Sequence, residues 1–479
     1  MTKNRIVTFA ALALLGATHA PASPRVWKDS ASGRTLTAEF MELTAEAVKV
    51  RRSDGRIITI PLSRLTTEDI AFARKAAESA GALANDWPSW RGPNRDGHSP
   101  DKGLLEKWPA GGPKLVWTFE DCGRGYSSPS VVGKRLYFTG SRKGKAEIIC
   151  VDAGSGEEEW SAAIGSDPEE GYNTGWGAGT RGAPTVDDGL VYAINANGDL
   201  VCVTADKGEK KWSVSLVDDF GGTIPGWGYS ESPLVDGNKV IATPGGGQGA
   251  IVALDKKTGT TIWQSKDLKD GAQYSSVIVA TVQGRRQYIQ LFMKTLAGVD
   301  AGTGEVLWTS SWPGRTAVIP TPIYVDGHVY ISSGYGVGCK LVDISEGVAR
   351  DVWENKVMKN HHGGVIRVGD HVYGFSDGPG LVCQNLKTGE QVWNARGEGK
   401  GKGAVHYADG MLICLDESEG SCFLAKASPE GFEELGRFAF PRKTELPRGG
   451  GKIWTHPVVV DGKLYLRDQD IVHCFDVRG

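Results

Sequence analysis

Along the chain, a pair of short apolar runs joined by a turn recurs: SPSVVGKRLYF, APTVDDGLVYA, SPLVDGNKVIA, TPIYVDGHVYI, GVIRVGDHVYG, GAVHYADGMLI and HPVVVDGKLYL, with SSVIVATVQGRRQYIQL as an irregular copy after the third. Each copy places Asp-Gly or an equivalent between runs of β-branched and aromatic residues, a pattern that predicts two strands joined by a tight hairpin. Each is linked to a polar turn and a strand that ends in tryptophan: VDAGSGEEEW to Trp160, VTADKGEKKW to Trp212, ALDKKTGTTIW to Trp263, VDAGTGEVLW to Trp308, LVDISEGVARDVW to Trp353 and QNLKTGEQVW to Trp393. The unit is thus predicted to be a four-stranded sheet, and a sheet with two apolar faces cannot bury both by itself.

Counted from Trp117, the tryptophans are spaced 43, 52, 51, 45, 45 and 40 residues apart, near the period of about 40 to 50 residues of propeller blades. A degenerate copy, AKASPEGFEELG, ends at Gly436 where a tryptophan would stand. The last copy, ending near Val477, has only three strands, whereas Pro113 to Phe119 (PKLVWTF) is an orphan outer strand ahead of the first inner one. We therefore expect an all-β, eight-bladed β-propeller closed by its N-terminal strand, an arrangement that leaves no exposed sheet edge.

The segment from Arg25 to about Arg74 has a different texture. Strands are predicted around RTLTAEFMEL, AVKVRR and RIITIPL with a turn at Asp54-Gly55, followed by a helix in TTEDIAFARKAAESA that Thr66 or Thr67 would cap. Ahead of it, Lys3 and Arg5, an uncharged stretch from Ile6 to Ala17 and the small residues Ala20-Pro21-Ala22 predict a signal peptide cleaved after Ala22. The expected organisation is a signal peptide at 1–22, a small β module with a helical tail at 23–80, a linker and lead-in at 81–112, and the propeller at 113–479. The protein is expected to be exported, periplasmic or secreted, with no transmembrane helix in the mature chain.

Composition adds two constraints. Glycine supplies 66 of 479 residues, about twice the usual share of roughly 7%, as many tight turns require. The formal charge of −3 leaves no excess of cations to neutralise phosphates, which argues against a nucleic-acid partner. Of the eight cysteines, Cys150, Cys202, Cys383 and Cys474 fall at equivalent points of different repeats, too far apart to bond, and are read as small buried apolar residues. Cys414 and Cys422 flank one hairpin, where a cross-strand disulfide is an open alternative.

The repeats, with their xDxxTGxxxW ends, resemble the PQQ-like repeat of quinoprotein alcohol dehydrogenases and of the BamB family of outer-membrane assembly factors, over roughly Trp87 to Gly479. WPSWRGPNRDGHS, GYNTGWGAGTRGAPTV and IPGWGYSESPL are similar to segments of exported bacterial PQQ-like propellers. RVWKDSASGRTLTAEF through IPLSRLTTEDI resembles an SLA1-type homology domain, which implies an SH3-like barrel.

In such a ring, the connections from an outer strand to the next inner strand gather on one face, around the channel mouth. Aligning the inner strands puts unlike residues three positions before a common point: Tyr126, Arg181, Ser230, Ile319, His362, Lys402 and Trp454. Packing alone does not call for polar variety at one repeated position. With Trp176, Trp227, Glu231, His361 and His456 from neighbouring loops, they predict either a ligand funnel of aromatic faces and cations or a plug that satisfies loop carbonyls. Neighbouring His361 and His362 would point to opposite faces of a strand, so no metal site is expected of them.

The dehydrogenases of the resembling family imply a vicinal cysteine pair over the quinone, acidic and amide calcium ligands and a catalytic aspartate. No two cysteines are adjacent here, and the acidic set has no residue-by-residue match. The expectation is therefore a monomeric envelope protein that binds or scaffolds a protein, peptide or glycan partner without catalysis or a cofactor. The alternative is a PQQ- and calcium-dependent quinoprotein dehydrogenase oxidising an alcohol or sugar.

Overall fold

In the computed structural model, the described residues are 25–44, 47–52, 56–73, 86–167, 169–395 and 401–479. The predicted signal peptide, the Asp54-Gly55 turn and the end of the helical tail lie outside them. The chain forms two compact units, Met1–Ala82 and Leu83–Gly479.

Among the described residues of the larger unit there are eight sheets of four antiparallel strands, the seventh extended by a short fifth strand, His98–Ser99. The first comprises Ser130–Val132, Arg135–Arg142, Lys145–Asp152 and Glu158–Ser166. The eighth comprises Val458–Val460, Lys463–Asp468, Ile471–Asp476 and, as its outer strand, Lys114–Phe119. In that sheet Trp117 stands opposite Cys474, and Thr118 opposite His473.

One register explains the repeated motif. In the second sheet Tyr192, Cys202 and Trp212 stand side by side across three strands, and Tyr137–Cys150–Trp160, Tyr373–Cys383–Trp393 and Tyr465–Cys474–Trp117 repeat the row. A small residue between two rings lets the tryptophan lie flat, and its N–H then reaches the next sheet. Trp212 Nε1 donates to Lys256 O at 3.0 Å, Trp263 to Ala301 O at 3.3 Å and Trp353 to Leu386 O at 3.1 Å. Trp117 of the eighth sheet donates in the same way to Ala153 O of the first, at 3.2 Å.

The motif glycine of the neighbouring sheet covers the ring. Gly259 adopts φ +73, and a Cβ there would sit 2.8 Å from the Trp212 ring, so only glycine serves. The motif aspartate shapes that turn, as Asp255 Oδ1 accepts from Lys257 N and Thr258 N. At Gly436, where the repeat lacks its tryptophan, a Cβ would meet Trp108 at 2.7 Å. Trp108 comes from the lead-in, donates from its backbone N to Leu435 O and packs on Phe438.

The lead-in also reaches the first strands of the sheets. Trp87 bridges Val131 of the first sheet, and Val186 N of the second donates to Pro88 O. Arg95 donates to Ser232 O, Pro233 O and Val277 O, from the approaches to the third and fourth sheets. Trp90 Nε1 donates to Thr321 Oγ1 ahead of the fifth, and Arg91 to Val365 O of the sixth. His98–Ser99 pairs in parallel with Tyr407 and Ala408 of the seventh, and Trp90 packs edge-on against His456 ahead of the eighth. Arg91 and Arg95 are each only 4% exposed. One stretch thus touches the first strand, or the residues just ahead of it, in all eight sheets and ties them together as a hub.

Among the described residues all eight cysteines are free and buried. The disulfide alternative fails on register: Leu415 stands opposite Cys422, while Cys414 stands opposite Phe423. Cys414 and Cys422 therefore face opposite sides of their sheet and enter different cores.

The smaller unit holds an antiparallel sheet of Arg25–Lys28, Thr35–Leu43, Ala47–Arg51 and Ile57–Pro61, in that order. Its core gathers around Trp27, whose Nε1 donates to Ala38 O. Thr66 caps the helical turn beyond, its Oγ1 accepting from Asp69 N at 3.2 Å. Among the described residues no helix is long and apolar enough to cross a membrane.

Candidate functional site

The segments leading from each fourth strand to the next sheet's first strand carry most of the expected site residues. Tyr126, Arg181 and Trp454 come together. The Arg181 guanidinium lies 4.7 Å from the Tyr126 ring centroid, and the Tyr126 and Trp454 centroids are 5.2 Å apart. Trp176 is half exposed and offers its carbonyl to the Tyr126 hydroxyl at 3.4 Å.

Arg181 donates to Gly177 O at 2.6 Å, and its Nε has no hydrogen-bond partner. Among the described residues it makes no ion pair. Burial lowers its pKa, and Tyr126, Tyr172, Tyr274 and the Asp167 carboxylate offset that only in part.

Trp454 links this group to a second. Its Nε1 donates to Glu417 Oε2 at 2.8 Å, and its ring lies 6.1 Å from that of His362. His362 Nδ1 is 3.5 Å from the same carboxylate oxygen, and neither ring nitrogen has a hydrogen-bond partner. Burial holds His362 well below its ordinary pKa and therefore neutral, while burial raises that of Glu417.

His361 belongs to a chain of its own. Lys402 Nζ contacts its Nδ1, and because an ammonium only donates, Nδ1 accepts and the ring proton sits on Nε2, 2.6 Å from the Tyr335 hydroxyl. Burial and Lys402 push the His361 pKa down to about 4. Lys402 also lies 3.7 Å from Asp377 Oδ1. The two histidines thus face different partners, with ring centroids 5.8 Å apart.

Three expected residues sit elsewhere. Trp227 packs on Tyr274 at 5.9 Å, toward the third and fourth sheets. Glu231, 1% exposed, is turned inward and accepts from Thr243 N at 2.7 Å and Thr243 Oγ1 at 2.9 Å. His456 is buried beside Trp90 and its Nε2 donates to His362 O at 3.0 Å, so it belongs to the floor of the mouth. Tyr335, Asp377, Glu417 and Gln469 were not anticipated. They occupy hairpins between the second and third strands, GYGVG, DGPG, DESEG and DQD, which reach the same face.

Among the described residues no group of three or more His, Cys, Asp or Glu side chains can hold a metal ion. Below the mouth, the crevice lined by Trp87, Trp90, Arg91, His406 and His456 leaves about 10 Å³, room for one water at most. The mouth offers instead aromatic faces flanked by two cations, Arg181 and Lys402, suited to an anionic or flat ligand near the surface.

Comparison with known proteins agrees with the architecture. A family described as outer membrane protein assembly factor BamB matches residues 144–395 and 349–428. The chain belongs to this PQQ-repeat family. Residues 17–80 match SLA1 homology domain 1. BamB of Burkholderia pseudomallei (strain K96243) is 26% identical over 356 residues, covering 65% of this chain and 81% of that protein. Among solved structures, BamB from Moraxella catarrhalis aligns with a TM-score of 0.55 at 17% identity, over 76% of this chain and 97% of that one. The quinohemoprotein alcohol dehydrogenase of Comamonas testosteroni aligns with a TM-score of 0.60 at 14% identity, over 84% of each chain. At such identities the structural likenesses speak for the fold alone.

Proposed function

We propose that this protein is an exported binding or scaffold protein of the cell envelope, acting without catalysis, whose larger unit is a closed eight-bladed propeller that holds a partner at its mouth. The bond from Trp117 to Ala153, which docks the eighth sheet on the first as Trp212 docks the second on the third, supports the count and the closure. We take residues 1–22 as a signal peptide, 23–80 as an SH3-like module, and the lead-in from 86 onward as part of the propeller because it forms the hub.

The observation that carries the reading is the lead-in that reaches every sheet. With Arg91 bonded to the first strand of the sixth sheet, and Arg95 and Trp90 to the residues just ahead of the third, fourth and fifth, recognition falls to the shallow surface around Arg181, Trp454 and Lys402. The partner is a protein, peptide or glycan.

The test is capture from an envelope extract on the immobilised full chain, in parallel with a titration by PQQ and calcium. A specific partner should be retained by the native protein and lost from Trp454→Ala. A bound-quinone spectrum with dye-linked alcohol oxidation would reverse the assignment to a dehydrogenase.

A further inference from the structure

The lead-in meets the seventh and eighth sheets through two stacked pairs. Trp87 lies against His406, with ring centroids 4.8 Å apart, and Trp90 against His456, at 4.5 Å. Both histidines are buried, and Arg91 lines the crevice that the two pairs share.

The neutral form of His406 is built into the contact. Val459 N of the eighth sheet donates to its Nε2 at 3.3 Å, so Nε2 accepts and the ring proton sits on Nδ1. A second proton sets N–H against N–H and breaks this bond between the seventh and eighth sheets. His456 Nε2 donates to His362 O at 3.0 Å, a bond that survives protonation. What both rings lack is a counter-ion.

The ionisable groups that act on His406 are Arg91 and His98 of the lead-in, together with His456, and Arg91 acts on His456. Past the His362 carbonyl lie the His362 and His361 rings, Lys402, and Glu417, whose carboxylate is 3.5 Å from His362. Arg91 is bonded to the carbonyls of Arg95, Asp96 and Val365, and the Asp96 carboxylate faces Arg91 and His98, as Arg367 also faces His98. A proton on His406 or His456 thus sets a second cation beside a buried guanidinium, in surroundings that give neither ring a carboxylate. The bonds that dock one sheet on the next, such as Trp212 to Lys256 O and Trp263 to Ala301 O, involve no group that titrates near neutral pH.

We propose that the lead-in is an acid-released strap: protonation of His406 and His456 frees Trp87 and Trp90 from the seventh and eighth sheets while the sheets stay assembled. This is independent of what the mouth binds.

The test is amide hydrogen exchange of the full chain at pH 6 and pH 5, with each rate divided by its intrinsic rate to give an opening equilibrium. Trp87 N, bonded to Val131 O, and Tyr407 N, bonded to Gly97 O, report on the strap. The strands Leu190–Ile194 and Asp199–Thr204 report on the sheets. Each histidine that takes up its proton only on release multiplies the opening by up to about tenfold per pH unit below about 6.5.

From pH 6 to pH 5 the strap opening should rise at least about tenfold more in the native chain than in His406→Gln/His456→Gln. The two amides keep an acceptor for Val459 N and a donor for His362 O, and the comparison cancels every other titrating group. At both pH values the sheet strands should open at least tenfold more rarely than the strap. If the double variant does not fold, each single glutamine variant is read in its place, with an expected difference of threefold or more. A smaller difference would overturn the proposal. So would equal opening of strap and strands, which would make acid sensitivity a property of the whole fold.

Discussion

Arg467 and Arg181 carry the same guanidinium within one unit, and their surroundings differ in kind. Arg467 is 1% exposed and directs all five N–H groups at backbone carbonyls: Nε to Gln469, Nη1 to Ser127 and Thr139, Nη2 to Cys122 and Gly123. In the hub, Arg91 and Arg95 each make three bonds to carbonyls, and Arg95 Nε has no partner. Arg181 has one carbonyl, the face of Tyr126, the more distant charge of Asp167 and a side open to solvent. A buried polar group left unpaired costs about 1–3 kcal/mol, more when charged. A saturated arginine therefore reports on architecture, and an unsaturated one at a surface reports on a missing partner.

The most severe way to break this comparison is to remove each arginine in turn. Arg467→Ala strands five carbonyls between the eighth and first sheets, and a loss of at least about 4 kcal/mol is expected from urea unfolding. Arg181→Ala removes one hydrogen bond at a half-buried position, and about 1 kcal/mol or less is expected. Equal losses would show that Arg181 is structural and that the contrast is empty.

Much of the larger unit was legible in the sequence because its units repeat. Hairpins at Asp-Gly and rings stacked on motif glycines recur with a period that local chemistry enforces, and Lys114–Phe119 indeed pairs with the last strand. The hub was not legible. WPSWRGPNRDGH has neither a period of two nor one of 3.6, and its role depends on carbonyls 44 to 274 residues away in sequence, from Val131 to Val365. For the same reason Trp108 could not be assigned to Gly436 in advance. At the mouth, aligning first strands found Tyr126, Arg181 and Trp454. It missed Glu417 and Tyr335, which arrive from hairpins on other strands. Glu231 and His456 were read as mouth residues because they neighbour the aligned positions, but Glu231 turns inward to Thr243 and His456 to the carbonyl of His362.

The next largest effect sharpens the comparison through pH. His406 and His456 lie against the hub rings Trp87 and Trp90, and burial pushes both pKa values down to about 3. A histidine depressed on folding contributes its stability in full above its unfolded pKa of about 6.5 and loses it as pH falls toward the folded value. Each should cost up to about 1.4 kcal/mol per pH unit over that range. Between pH 7 and 5 the unfolding midpoint should fall, and His406→Gln should shrink that fall by about a quarter or less, because His361 and His362 are depressed as well. A midpoint that is flat over the same range would mean that the hub admits charge and water, as the mouth does.

Glu231 gives the smallest and most discriminating effect, because spacing assigned it to the mouth and its contacts assign it to the interior beside Arg95. Burial raises its pKa to about 7, against hydrogen bonds from Thr243 and the charge of Arg95 that act in the opposite direction. A carboxyl raised on folding contributes stability that is complete below its unfolded value near 4.5 and is lost as pH rises through about 7. Glu231→Gln keeps the shape of the neutral acid, with its amide oxygen accepting from Thr243 N and its amide nitrogen donating to Thr243 Oγ1. At pH 8 the variant should therefore be more stable than the native protein by about 1–2 kcal/mol, and at pH 5 the two should nearly coincide. It should also leave ligand binding at the mouth untouched. A variant that unfolds normally but loses binding would return Glu231 to the site where its position in the repeat first placed it.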